Sequence, residues 1–248
     1  MNIRTSRYEE WQNRLEKHVD YNICESMVAA FGLNPEAAER LRARMDGDLL
    51  NYGWIEGSAE FKAAVAGLYQ TEVAPSRILQ ANGGTGANLN ALMCLIEPGD
   101  HVIIESPAYE PLEIFARELG AKVDLWHLHE EDGWQPSIAE LERLVRSDTK
   151  AIILVNASNP LGVVLERPML EQVVGVARTV SAYVMCDEAF MPFDAPLDYV
   201  SLVDLYEKAV VTCTMSKTFS VPGIRIGWVV GDEVIAQRVR TLRDYTCV

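Results

Sequence analysis

From about residue 57 onward, short apolar and β-branched runs alternate with segments whose apolar positions recur at helical spacing. The pattern predicts strands at 78–82, 101–105, 122–128, 151–156, 182–187, 209–214 and 225–231. Amphipathic stretches lie between most of them, at Ala87 to Ile96, Pro111 to Leu119, Ile138 to Val145 and Met169 to Val180. This alternation predicts an α/β domain with a seven-stranded, mostly parallel sheet between helices. Ala151-Ile152-Ile153-Leu154-Val155 is apolar at every position, so that strand is expected to be covered on both faces. Residues 8–18 and 35–45 read as helices, with little strand signal nearby beyond Tyr21-Asn22-Ile23-Cys24. Residues 1–50 are therefore expected to form an N-terminal arm and part of a smaller domain, and residues 51–248 the large domain.

Composition narrows the function classes. A chain of 248 residues can bury a substantial core. Its 22 basic and 36 acidic residues give a net charge of −14, and the basic residues do not cluster, which argues against a nucleic-acid surface. No apolar run approaches the roughly 18 residues of a membrane helix. The opening Met1-Asn2-Ile3-Arg4-Thr5-Ser6 lacks the apolar core of a signal peptide, so a cytoplasmic location is expected. Five cysteines without a C-x-x-C pair fit a reducing compartment better than disulfides or a metal site, and Cys186 and Cys213 are expected to be core thiols.

Four segments carry candidate chemistry. Asn82-Gly83-Gly84-Thr85-Gly86-Ala87 follows a strand and opens a helix, where small residues let backbone N–H groups approach an anion. Taken alone it fits an ordinary tight turn equally well, and it lacks the third glycine of a dinucleotide fingerprint. Asn156-Ala157-Ser158-Asn159-Pro160-Leu161-Gly162 ends the strongest strand, where Asn159 could donate to a ligand, although alone it reads as an Asn-Pro turn. Asp187 ends an apolar strand and needs a partner there: a cationic ring nitrogen, a helix cap or a salt bridge. In Thr214-Met215-Ser216-Lys217, with Arg225 downstream, a partly buried Lys217 would have a lowered pKa and react with aldehydes, and Arg225 would offer a fork for phosphate. A lone Ser-Lys pair is more often a surface loop.

In this order and spacing, the four segments resemble the fold-type I pyridoxal-phosphate enzymes of the class I/II aminotransferase family, from about residue 20 to the end. The resemblance implies a Schiff base between Lys217 and pyridoxal 5′-phosphate, with Lys217 later carrying the α-proton. It implies that Asp187 pairs with the pyridine nitrogen, that Tyr109 stacks on the ring, and that Asn159 donates to the phenolic oxygen. Gly84, Thr85, Thr214 and Arg225 would bind the phosphate. Tyr52, in Asn51-Tyr52-Gly53-Trp54, would reach the phosphate of a neighbouring subunit in a homodimer, although a core tyrosine fits the same pattern. The substrates implied are an amino acid and a 2-oxo acid.

The sequence also departs from that pattern. Phe190 stands where the family usually has Tyr, and Leu161 where it has Thr. Family members continue well beyond a point such as Val248, so the resemblance implies a truncated chain whose small C-terminal domain is largely missing. It leaves no residue here to pair with the substrate carboxylate. Asp187-Glu188-Ala189-Phe190 is similar to threonine-phosphate decarboxylases, the next residues to histidinol-phosphate aminotransferases, and Trp11 with Tyr21 to Ser26 to capreomycidine synthases. A lyase, decarboxylase or cyclase therefore stands beside the aminotransferase reading, as does an inactive fragment. In the capreomycidine synthase reading Glu25 would meet a cationic substrate group; otherwise it reads as a surface or salt-bridged residue.

Overall fold

A computed structural model describes residues 3, 5–26, 32, 35–45, 52–191 and 199–247. The boundary expected at 50–51 touches Asn51 and lies outside the described residues. Among those described, seven strands form one sheet: β1 (Ile78–Asn82), β2 (His101–Ser106), β3 (Lys122–His127), β4 (Thr149–Val155), β5 (Tyr183–Asp187), β6 (Ala209–Thr214) and β7 (Ile226–Val230). Their order is β1-β7-β6-β5-β4-β2-β3. β7 runs antiparallel to both neighbours and every other pairing is parallel. Tyr21 to Cys24, the one strand-like run of the N-terminal segment, joins no strand.

The pleat sorts the apolar runs into two cores. On β4, Ile152 and Leu154 point to one side and Ala151, Ile153 and Val155 to the other. The first side is closed by α3 (Ala59–Ala66), α6 (Ile138–Leu144) and α7 (Arg167–Thr179). The second is closed by α4 (Gly83–Leu95), α5 (Glu110–Glu118) and α8 (Glu233–Thr246). Burial of each β4 isoleucine or leucine contributes about 1.5–3 kcal/mol. Two further helices, α1 (Arg7–Leu15) and α2 (Pro35–Met45), precede the sheet. Cys186 and Cys213 are fully buried, as expected of core thiols. No helix among the described residues is long and apolar enough to cross a membrane.

Caps explain several helix starts. Ser6, Ser58, Ser137 and Asp232 each accept a backbone N–H from the first turn of α1, α3, α6 and α8. α4 has no side-chain cap; its first residue, Gly83, has φ +70°, a left-handed conformation suited to glycine.

Below β5 lies a buried acid. Glu188 Oε1 accepts from Ser201 Oγ and from the Leu202 N–H, both at 3.0 Å. Oε2 has no hydrogen-bond partner among the described residues. Burial pushes the Glu188 carboxyl up from its ordinary 4.5 to about 8, against the lowering effect of the Leu202 and Ser201 bonds. The folded protein thus binds a proton that the unfolded chain releases. That contribution is complete below about pH 4.5 and is lost as the pH rises through about 8. Glu188→Gln is expected to flatten the decline of the urea midpoint across this window, and an unchanged slope would place the proton elsewhere. Glu105, also raised to about 8 by burial, contributes to the same slope, as does Asp187, which burial raises too.

Candidate active site

The chain reverses its direction across the sheet between β2 and β4. α5, after β2, covers one face, whereas α6 and α7 cover the other, so the loops beyond the carboxyl ends of β2 and β4 diverge. Open α/β sheets form their ligand crevices at such points. A cavity of about 680 Å3 opens there, bounded by the segments that follow β1, β2, β4, β5 and β6.

Gly84, Thr85, Tyr109, Asn159, Asp187, Thr214, Lys217 and Arg225 all line this one cavity. Tyr52 does not line it and is 80% exposed. The first turn of α4 meets the end of β6 at close range: a Cβ on Gly84 would lie 3.2 Å from Thr214 Cβ, and one on Gly83 would collide with the Arg225 guanidinium. Arg225 has φ +55°, a conformation costing a non-glycine residue on the order of 1 kcal/mol. It donates to the Pro222 carbonyl at 3.0 Å and to Ser216 Oγ at 3.4 Å. Thr214 Oγ1 donates to Ser216 Oγ at 2.9 Å. A guanidinium, two hydroxyls and an uncapped helix start thus converge on one place that suits a small, highly charged anion.

Asp187 is 5% exposed. Its Oδ2 accepts from Asn88 Nδ2 at 2.7 Å and its Oδ1 from the Ala189 N–H at 2.9 Å. Burial raises its pKa, and the two hydrogen bonds and the Lys217 charge oppose the rise. Lys217 Nζ donates to Ser26 Oγ at 3.2 Å and lies 5.6 Å from the Phe190 ring centroid. Burial lowers its pKa, against Glu25, Glu9 and Asp187, so an uncharged, nucleophilic amine is more accessible than on a surface lysine. Tyr109 OH is 3.3 Å from Thr85 Oγ1, and burial raises its pKa despite that contact.

The pattern reading misses Asn88 and Asn156, and of the N-terminal wall it brings only Glu25 to a substrate, in one of its readings. Asn88, which supports Asp187, sits in an apolar helix and bonds to residues far away in sequence. Asn156 ties the loop after β4 to Leu165 through two bonds, Nδ2 to the Leu165 carbonyl at 3.0 Å and Leu165 N–H to Oδ1 at 2.9 Å. The N-terminal segment forms one wall, with Tyr8, Glu9, Cys24, Glu25 and Ser26 on the cavity. Ser6 Oγ fastens it to Glu110 at 2.8 Å, and Tyr8 OH to the Cys24 carbonyl at 2.9 Å. Residues 6–26 are mostly polar, with scattered apolar positions, and give no sequence signal of where that segment docks.

Residues 24–248 match the family of class I and II aminotransferases. The chain belongs to that family. An aspartate aminotransferase of Thermotoga maritima is 31% identical over 184 residues, covering 72% of this chain and 48% of that protein. Human kynurenine–oxoglutarate transaminase 1 is 32% identical over 188 residues, 70% of this chain and 44% of that protein. A 1-aminocyclopropane-1-carboxylate synthase of Cucurbita pepo is 26% identical over 261 residues, 94% of this chain and 49% of that protein. The chain thus spans about half the length of the curated relatives it matches. Among solved structures, a PLP-dependent aminotransferase of Streptococcus suis superposes with a TM-score of 0.93 at 42% identity, over 100% of this chain and 67% of that one.

Class I and II aminotransferases use pyridoxal phosphate. The cavity of this family member fits that group on its own chemistry: a dianion seat at Arg225 and Gly84, a buried carboxylate suited to a ring cation, and a lysine inclined to lose its proton.

Proposed function

We propose that this chain carries the cofactor-binding part of a pyridoxal-phosphate-dependent aminotransferase, moving an amino group between an amino acid and a 2-oxo acid. The observation that carries the reading is the convergence of Lys217, Asp187 and Arg225 on one cavity, in a member of the class I and II family. When bound, the cofactor supplies an aldehyde carbon that reacts with amines and a ring that takes up electrons from the substrate Cα. Lys217 Nζ would be the group that holds that carbon, and a substrate amine would take its place. As a free amine beside the substrate, Lys217 Nζ would take up the Cα proton and give it back. Asp187 holds the proton on the ring nitrogen, because a nearby anion raises that nitrogen's pKa. Arg225, Thr214, Thr85 and the Gly84 N–H would hold the phosphate and so fix the position of the reacting carbon. Tyr109 and Asn159, both on the cavity, would stack on the ring and donate to its phenolic oxygen respectively.

Two wider proposals accompany the site. Residues 1–50 form an arm with part of a smaller domain, and residues 51–248 the cofactor domain. Tyr52 reaches the phosphate of a second copy in a homodimer. The exposure of Tyr52 and Trp54, at 80% and 73%, supports a role at a contact between copies.

The test is product analysis: protein loaded with pyridoxal phosphate is given an amino acid labelled with nitrogen-15 and a 2-oxo acid. Label appearing in the amino acid derived from the 2-oxo acid supports the proposal; no transfer under cofactor saturation contradicts it. A second reading, a lyase or cyclase on the same site, is favoured by the similarity to the Cucurbita pepo synthase over 94% of this chain. It predicts loss of a carbon or leaving group from the substrate without transfer of label.

Phe190 offers a further check. Its ring contributes no donor beside Lys217, so Asn159 alone stabilises negative charge on the phenolic oxygen. Phe190→Tyr is expected to lower the pH midpoint of the loaded protein's visible absorbance, and an identical midpoint would remove residue 190 from the account.

A further inference from the structure

Asn88 is 1% exposed and lies on the face of α4 that packs against β6 and β7, among Ala87, Ala91 and Leu92, which are fully buried. An amide in such a place needs partners for both ends. Its Nδ2 donates to Asp187 Oδ2 at 2.7 Å, and its Oδ1 accepts from Thr212 Oγ1 at 2.5 Å. Thr212 is fully buried and stands directly opposite Asp187 in the β5–β6 pairing.

The proton positions in this chain follow from chemistry. An ionised carboxylate only accepts, so the NH2 end of Asn88 must face Asp187. The carbonyl end then faces Thr212, whose hydroxyl must donate. The second carboxylate oxygen accepts the Ala189 N–H at 2.9 Å. Each oxygen of Asp187 thus receives one donor, from two different elements, which fixes the rotation of the carboxylate.

We infer that Asn88, held in turn by Thr212, is a positioning residue for Asp187, fixing its rotation and keeping it an anion that faces the cavity. The inference rests on the cofactor reading above insofar as the beneficiary is the ring nitrogen of pyridoxal phosphate. Burial drives Asp187 toward its neutral form, and the Asn88 bond is the largest influence opposing it, ahead of Ala189 and Lys217. Lys217 is itself pushed toward the uncharged form by burial, which leaves more of the task to the neutral donors. The other titratable groups facing Asp187 are Glu188, Tyr109, Cys186 and Cys213; as anions each would repel it. A neutral Asp187 could no longer hold a proton on the ring nitrogen. Asn88 would then be required for electron uptake without touching the cofactor's reacting atoms.

The experiment uses two readouts. In cofactor-free protein, the Asp187 carboxyl is followed by carbon-13 NMR as pH is varied, with Asp187→Asn identifying its signal. Asn88→Leu, close in volume and without donors, is expected to raise the midpoint by about one unit or more, a tenfold gain in proton affinity. Thr212→Val keeps its shape and should shift the midpoint the same way by less, while Thr212→Ser restores the wild-type value. In protein loaded with pyridoxal phosphate labelled at the ring nitrogen, nitrogen-15 NMR should show a protonated ring in wild type and an unprotonated one in Asn88→Leu at neutral pH. A wild-type Asp187 midpoint in both Asn88→Leu and Thr212→Val would overturn the inference, as would a protonated ring in Asn88→Leu. If labelled cofactor never attaches to the wild-type protein, the cofactor reading fails, while the carbon-13 titration still decides whether Asn88 governs Asp187.

Discussion

Lys217→Ala is expected to replace the visible Schiff-base band of protein loaded with pyridoxal phosphate by the band of the free aldehyde, and to reduce turnover about a thousandfold or more. Lys217 Nζ is the amine on the cavity, half-buried and shifted toward its uncharged form. Removing it takes away both the covalent anchor and the group that carries the Cα proton. The Arg225 seat and the Asp187 carboxylate remain, so the variant should still bind the cofactor noncovalently. Lys217→Arg should behave like Lys217→Ala: a guanidinium keeps the charge but stays protonated and cannot attack an aldehyde. Persistence of the visible band in either variant would mean that another amine holds the cofactor.

The second large effect concerns Gly227, on β7 between β1 and β6. A Cβ there would lie 2.7 Å from the Cys213 carbonyl oxygen and 2.7 Å from both the carbonyl carbon and oxygen of Gly83. All three are backbone atoms, and none can turn aside as a side chain could. Gly227→Ala must therefore push β7 away from β6 or push the start of α4 outward. The expected loss is about 3 kcal/mol or more, corresponding to a fall in Tm of roughly 6–12 °C for a domain of this size. Because Gly83 abuts Gly84 and the Arg225 guanidinium, the same displacement should weaken phosphate binding. Gly175→Ala is the contrasting case: it lies in α7 with nothing within 4 Å of its added Cβ. That change should stabilise the fold by about 1 kcal/mol through helix propensity. Equal melting temperatures for the two variants would refute the packing argument.

Much of the sheet was legible because its strands are apolar on both faces and short. The expected 151–156 corresponds to β4 at Thr149–Val155, and 209–214 to β6 at Ala209–Thr214. Direction is another matter. β7 looks like the other strands in composition, and nothing in Ile226-Gly227-Trp228-Val229-Val230 announces that it runs antiparallel to both neighbours. α3 and α8 fall outside the pattern reading. α8 carries Arg238, Arg240 and Arg243 among its apolar positions, which blurs the stripe of Ile235, Ala236 and Val239 that it buries, although Asp232 marks its start.

For the site, residues at strand ends were legible through their local setting: Asp187 after an apolar run, Lys217 in a polar turn, Gly84 at a helix start. What could not be read were partners distant in the chain. Asn88 is joined to Asp187 across 99 residues and to Thr212 across 124. Ser26 meets Lys217 across 191. Such pairings depend on how the sheet is ordered, and local pattern does not encode that order.

The central claim is that Lys217 holds the cofactor. Its most direct test is borohydride reduction of the loaded protein, digestion, and mass spectrometry of the peptides. The account predicts a cofactor-sized addition on the peptide containing Thr214-Met215-Ser216-Lys217 and on no other. Stoichiometric modification at Lys62, Lys150, Lys208 or another lysine, with Lys217 unmodified, would contradict it.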